Sequence, residues 1–204
     1  MTTPEPLRHL LAAHSSADAD ALGRLHARLV EHATADDLLD VAYRTLDTPV
    51  GTLLLATTPN GLVRVAYERE GLDAVLANLA GKISPRILRA PRRLDEVARQ
   101  LEEYFGGRRR TFDLPIDLRL STGFRRSVLS HLPAIGYGET ASYQFVATAV
   151  HNPKAVRAVG TACATNPLPV VIPCHRVIRS DGQLGAYLGG PEIKRQLLKL
   201  EAQR

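Results

Sequence analysis

The sequence predicts an α+β protein: a small antiparallel-sheet and helix unit, then a mostly helical unit with a helix-turn-helix. Three observations carry this. Between Val41 and Tyr67 the apolar residues fall in short strand-like runs, and Pro59-Asn60-Gly61, a strong hairpin turn, separates the last two. From Arg92 the spacing becomes helical, with Leu94, Val97, Ala98, Leu101, Tyr104 and Phe105 on one stripe. Two short helical stretches, 143–150 and 154–164, then flank His151-Asn152-Pro153, which is helix-turn-helix spacing. The expected organisation is an acidic helical extension over residues 1–40, an α+β domain over 41–114 and a C-terminal domain over 115–204.

In chain order, Leu7, Leu10 and Leu11, then Leu22, Leu25 and Leu29, recur at helical spacing around Ser15-Ser16, so residues 1–40 read as one or two helices with a break at the serines. His9, His14, His26 and His32 lack the tight spacing of metal ligands and read as surface residues. Strands are expected over 41–46, 52–57 and 62–67, and helices over 72–79 and 92–105, the second ended by Gly106-Gly107. Arg108-Arg109-Arg110 reads as a phosphate contact or a solvated loop, and 115–120 as a connector. Ser121-Thr122-Gly123 caps a helix through Leu132, and residues 136–140 form a turn. In the second helix of the helix-turn-helix, Val156, Val159, Gly160 and Cys163 face inward, making Cys163 a structural thiol. Lys154, Arg157, Ala158 and Thr161 lie opposite, a face of small residues and two cations that suits close approach to a duplex. A glycine-rich loop, Gly185 to Gly190, leads to a final helix opened by Pro191.

Composition narrows the class. Residues 1–40 hold three Arg against seven Asp or Glu, whereas the rest carries 23 basic residues against 14 acidic ones. A basic body behind an acidic leader favours a polyanionic partner, of which nucleic acid is the commonest. No apolar stretch approaches the roughly 20 residues needed to span a bilayer, and the N-terminus lacks signal-peptide layout, so no membrane association and a cytoplasmic address are expected. Two cysteines, Cys163 and Cys174, are too few for a disulfide framework or a four-thiolate zinc site.

The chemistry concentrates in Asn166-Pro167-Leu168-Pro169-Val170-Val171-Ile172-Pro173-Cys174-His175-Arg176-Val177, an apolar run braced by prolines with a thiol and an imidazole side by side. A thiol near its reference pKa of about 8.5 is only slightly ionised at neutral pH, so a nucleophilic cysteine needs a base nearby. His175 is the nearest candidate, and a turn after Pro173 brings both side chains to one side. Glu201 is the candidate for orienting the imidazole. It falls on the apolar face of the last helix with Ile193, Leu197 and Leu200, and an inward carboxylate must be paired.

Pro173-Cys174-His175-Arg176-Val177, with Asn166-Pro167, Arg157-Ala158-Val159-Gly160, Gly189-Gly190 and a helix ending in Leu200-Glu201, resembles the O6-alkylguanine-DNA alkyltransferases, the methylated-DNA–protein-cysteine methyltransferases, over residues 41–203. The resemblance implies a single-use protein. It binds double-stranded DNA by the minor groove through its helix-turn-helix, flips an O6-alkylguanine out and moves the alkyl group irreversibly onto Cys174. It further implies that His175, through a water, takes the thiol proton, that Glu201 orients His175, and that Asn166 ties the segment to the helix-turn-helix. Tyr143 then helps protonate the departing guanine, and Arg157 fills the gap left in the base stack. Lys154, Ala158, Thr161 and Arg176 complete the DNA contacts, while Tyr187, Leu188 and Gly189 wall the base pocket. Leu188 departs from the serine of some members. The cysteine-rich zinc module fused to others is absent, so no metal, no cofactor and no transcription role are expected. A monomer is expected, with O4-alkylthymine as a second candidate substrate. Two readings compete: a non-catalytic lesion binder of the alkyltransferase-like group, which replaces the cysteine, and a cysteine hydrolase using Cys174, His175 and Glu201, which would turn over.

Overall fold

The computed structural model describes residues 5–202, with side chains from residue 18 onward apart from Ala19. Helix α1 (Glu5–Ala35) runs unbroken through Ser15 and Ser16, contrary to the expected break. Serine costs a helix only about half a kcal/mol relative to alanine, and the alanines and leucines on either side are strong helix formers. The expectations for Leu7, Leu10, Leu11, His9 and His14 concern side chains outside the described set. Leu22, Leu25 and Leu29 face solvent. The helix docks by another face, Val30 and Ala33 packing on Leu39, Ala42, Leu88 and Ala90.

Strands β1 (Val41–Thr48), β2 (Gly51–Thr58) and β3 (Gly61–Tyr67) form an antiparallel meander. Helix α2 (Leu72–Lys82) follows, and then a strand the sequence did not announce, β4 (Ile87–Arg89), which pairs parallel with β1 to give the order β3-β2-β1-β4. Three residues are too few to display a period of two. Along β2 the side chains alternate between two cores. Leu54 and Ala56 pack with Val75 and Leu79 of α2, while Leu53 and Leu55 join the main core. Each fully buried leucine contributes about 2 kcal/mol, so both faces of the sheet must stay covered. The expected 92–105 helix divides into a 3-10 turn, Pro91–Leu94, and helix α3 (Asp95–Phe105).

The connector is more ordered than expected. The Leu62 amide donates to the Pro115 carbonyl at 2.8 Å and the Asp117 amide to the Leu62 carbonyl at 2.9 Å, which lays 115–117 along β3. Gly61 permits this: its φ is +127°, and a Cβ there would stand 2.2 Å from the Pro115 carbonyl oxygen.

Beyond it come α4 (Gly123–His131), β5 (Ala141–Ser142), α5 (Tyr143–Ala149), α6 (Val156–Ala164), β6 (Val177–Ile178) and α7 (Pro191–Ala202). Ser142 caps α5 by accepting the Phe145 amide at 3.0 Å. His151, at φ +57°, reverses the chain into α6, which begins at Val156 and leaves Lys154 in the turn. Val159, Ala162 and Cys163 of α6 are buried. The β5–β6 ladder pairs Ala141 with Val177 and Ser142 with Ile178. This pairing joins the start of the helix-turn-helix to the segment that has just delivered Cys174. One apolar core runs from Leu53 in the sheet to Leu197 in α7, so sheet and helices share an interior.

Candidate active site

The segment before Cys174 is a buried tight turn. The Ile172 amide donates to the Leu168 carbonyl at 2.8 Å, and Val170 between them sits at φ +73°. A β-branched residue in that region costs about 1–3 kcal/mol and persists only where its surroundings impose it. Fully buried Asn166 does much of the imposing. Its Oδ1 accepts the Leu168 amide at 2.9 Å, its Nδ2 donates to the Ile172 carbonyl at 2.9 Å, and the same Nδ2 lies 3.1 Å from Cys174 Sγ. One amide thus shapes the turn and contacts the sulfur. A 3-10 turn, Cys174–Arg176, follows directly.

Cys174 is 1% exposed. Burial pushes its thiol up to about 11, against the Asn166 hydrogen bond and the positive charge of Lys194, which favour the thiolate. The cysteine is therefore a neutral thiol at pH 7 and needs a base. His175, fully buried, has its pKa lowered by burial, which outweighs the opposing pull of Glu201. Its Nε2 lies 2.8 Å from Glu201 Oε1, while Nδ1 has no hydrogen-bond partner among the described residues. Because an ionised carboxylate only accepts, Nε2 carries the proton and Nδ1 offers its lone pair.

Glu201 is 1% exposed and collects donors from distant parts of the chain. Tyr104 Oη donates to Oε1 at 2.7 Å, Arg176 Nε to Oε2 at 2.9 Å and Nη2 to Oε1 at 3.0 Å, and the Gly138 amide to Oε2 at 3.2 Å. Burial raises the carboxyl's pKa, but the bonds from His175, Arg176 and Tyr104 prevail and hold it at about 2.

Arg176 corrects the sequence expectation. Expected on DNA, it is 5% exposed, paired with Glu201, and donates from Nη1 to the Ile135 carbonyl at 2.6 Å, so it cannot reach a duplex. The 3-10 turn over Cys174–Arg176 brings the Arg176 guanidinium to the same Glu201 carboxylate that the His175 imidazole meets. Lys154, Arg157, Ala158 and Thr161 lie exposed together at the helix-turn-helix.

Tyr143 opens α5, half-buried, and burial pushes its phenol up to about 12, keeping it a proton donor at neutral pH. The glycine-rich loop closes on it: a Cβ on Gly185 would stand 2.2 Å from the Tyr143 hydroxyl. Tyr187 is buried with its ring 6.4 Å from that of His175, centre to centre and edge-on, Gly189 is buried, and Leu188 is partly exposed beside them. Lys194 and Tyr104 escaped the sequence reading. Lys194 is fully buried, its Nζ donating to the Val177 carbonyl at 2.6 Å and lying 5.9 Å from the centre of the Tyr143 ring. It shares the Leu197 and Glu201 face at helical spacing, and a cation on an apolar stripe was the available signal. A tyrosine on the apolar stripe of α3, needing a partner for its hydroxyl, was the signal for Tyr104.

The thiol's elevated pKa yields a first prediction. Initial rates of Cys174 modification by a small neutral alkylating agent, followed by peptide mass, should still climb about tenfold per unit between about pH 9 and about pH 10, where an ordinary cysteine has levelled. Levelling near pH 9 refutes the elevation. The sign for stability follows. The neutral thiol favours the fold below its unfolded pKa, and that contribution drains away as pH rises through about 11.

A helix-turn-helix and a buried thiol beside a histidine–carboxylate pair on one module outline a class of DNA-binding proteins with a cysteine at their candidate site. Comparison with known proteins narrows the class. Residues 123–203 match the model described as 6-O-methylguanine DNA methyltransferase, DNA binding domain, and residues 41–118 that of the ribonuclease-like domain of the same proteins. The methylated-DNA–protein-cysteine methyltransferase of Methanosarcina barkeri is 40% identical over 159 residues, 78% of this chain and 96% of that protein. The constitutive one of Bacillus subtilis is 40% identical over 163 residues, 78% and 94% of the two chains. The crystal structure of Mycobacterium tuberculosis O6-methylguanine methyltransferase superposes with TM-score 0.71 at 37% identity, covering 80% of this chain and 94% of that one, and Mycobacterium tuberculosis OGT in complex with DNA gives 0.70 at 37% identity, covering 79% and 92%. The chain belongs to the methylated-DNA–protein-cysteine methyltransferase family.

Proposed function

We propose that Cys174 accepts the alkyl group when this DNA-repair methyltransferase reverses damage, and that the lesion is O6-alkylguanine swung out of a duplex held by its minor groove. As a family member the chain is an enzyme that binds DNA and transfers an alkyl group from it to a cysteine. The single observation that carries the choice of residue is the bonded line Tyr104–Glu201–His175, which ends at the residue next in sequence to Cys174, whose buried thiol Asn166 contacts.

In this reading His175 Nδ1 takes the thiol proton through a water, and the imidazolium is stabilised by the ionised Glu201. The sulfur attacks the alkyl carbon, an S–C bond forms as the C–O6 bond breaks, and the electron pair leaves with guanine. Tyr143 supplies a proton to the departing base. A thioether cannot expel its alkyl group at neutral pH, so each molecule acts once. Extrusion costs a few kcal/mol, less where pairing is already poor, and Arg157 entering the vacated stack offsets part of it. Lys154, Ala158 and Thr161 contact the backbone beside it, while Tyr187, Leu188 and Gly189 wall the pocket. We further propose that the extension 1–40, the unit 41–114 and the unit 115–204 act together as a monomer.

Mixing the protein with a duplex containing O6-methylguanine and weighing it should reveal one added methyl per chain and no turnover. An unchanged mass or repeated turnover rejects the proposal, the second favouring a hydrolase. Arg157→Ala should weaken capture from duplex about tenfold while leaving reaction with free O6-benzylguanine unchanged. Equal losses on both substrates refute the role of filling the stack.

A further inference from the structure

We infer that Tyr67 and Arg69, which the sheet half supplies, are positioning residues for the alkyl pocket: they hold the 187–190 loop against the acceptor site. This rests on the assignment of Cys174 as acceptor. Residues 179–190 contain no helix or strand, so the loop must be positioned by side chains. Tyr187 points its hydroxyl into the interior, where a phenol needs a partner, and finds the Tyr67 hydroxyl 2.8 Å away. Both tyrosines are buried, their rings edge-on at 6.0 Å. Arg69 Nη1 donates to the Gly189 carbonyl at 2.9 Å.

The contact is close enough to dictate the loop's sequence. A Cβ on Gly189 would meet Tyr67 at 2.9 Å, and one on Gly190, at φ +95°, would meet Arg69 Nη1 at 2.3 Å. Tyr67 is itself anchored at the end of β3, with its amide donating to Glu70 Oε1 at 2.8 Å, and Glu70 pairs with Arg64. The same strand holds the other side of the site. The Val65 amide and Arg64 Nη1 both donate to the Pro167 carbonyl, at 2.8 and 3.2 Å. One rigid strand end therefore sets the separation between the Asn166 turn, which carries the sulfur, and the loop that walls the pocket.

The test is a double-mutant cycle with Tyr67→Phe and Tyr187→Phe, which keep ring volume, read as alkyl-transfer rate from an O6-methylguanine duplex and from free O6-benzylguanine. Each single variant should slow transfer about fivefold on both substrates, and the double variant should be no slower than either, because one shared hydrogen bond is lost. Affinity for undamaged duplex should stay unchanged. Arg69→Ala, at an exposed position, should slow transfer similarly, with partial rescue in Arg69→Lys. Losses that multiply in the double variant, that appear only in duplex affinity, or that are absent overturn the inference. Should the unsubstituted protein gain no methyl, the acceptor assignment fails instead, a result distinct from any outcome of the cycle.

Discussion

Cys174→Ser should lose all methyl gain from an O6-methylguanine duplex while binding undamaged duplex as tightly as the native chain. An alcohol is a far weaker nucleophile than a thiolate at a saturated carbon, and nothing in the pocket matches it: the nearest base is an imidazole whose pKa burial has lowered, too weak to ionise a hydroxyl. The fold should survive, since serine replaces sulfur by a smaller atom that can still accept from Asn166 Nδ2. Intact mass after mixing, with peptide mapping of the native protein as control, decides the matter. If the methyl appears on Cys163 in the native protein, the acceptor has been misassigned. Cys163 is poorly suited to the role, being buried inside α6 with burial pushing its thiol even further up than that of Cys174.

Glu201→Gln should have the next largest effect, on stability and rate together. The carboxylate is the meeting point of His175, Arg176, Tyr104 and the Gly138 amide, all donors. An amide presents one acceptor and one further donor to that ring of donors, and it leaves the 5% exposed Arg176 guanidinium without a counter-charge. Breaking a buried pair on one side costs about 3–5 kcal/mol, or about 10 °C in melting temperature for a chain of this size. Transfer should slow about a hundredfold, because the imidazolium loses its stabilising charge. The pH dependence supplies a check. Glu201 has its folded pKa depressed to about 2, so its contribution is complete above the unfolded value of 4.5 and is lost as pH falls through about 2. The variant should lack that acid-dependent loss. Native-like melting at pH 7 would contradict the burial and pairing described here.

Much of the candidate site was legible in the sequence because it lies on short, strongly marked segments. Proline and asparagine flanking an apolar run marked a rigid turn, and a carboxylate on the stripe of the last helix had to point inward whatever it met. Arg176 shows where that legibility stops. Its place beside His175 says nothing of direction, and only the 3-10 turn at Cys174–Arg176 decides that the guanidinium faces Glu201 and not solvent. Strand β4 and the two-residue β5–β6 ladder were invisible for a different reason: three residues or fewer carry no period, and their pairing depends on partners far along the chain.

The sequence by itself determined the α+β class, the helix-turn-helix and the proline-braced segment that holds Cys174 and His175, since local periodicity and side-chain chemistry are properties of neighbouring residues. Tertiary structure alone decided what those residues touch. Tyr104 reaches Glu201 across 97 positions, and Tyr67 and Arg69 each reach the 187–190 loop across 120. Such contacts arise when a shared core buries a phenol or a carboxylate that must then find a partner, and the position of that partner is set by how the sheet packs against the helices.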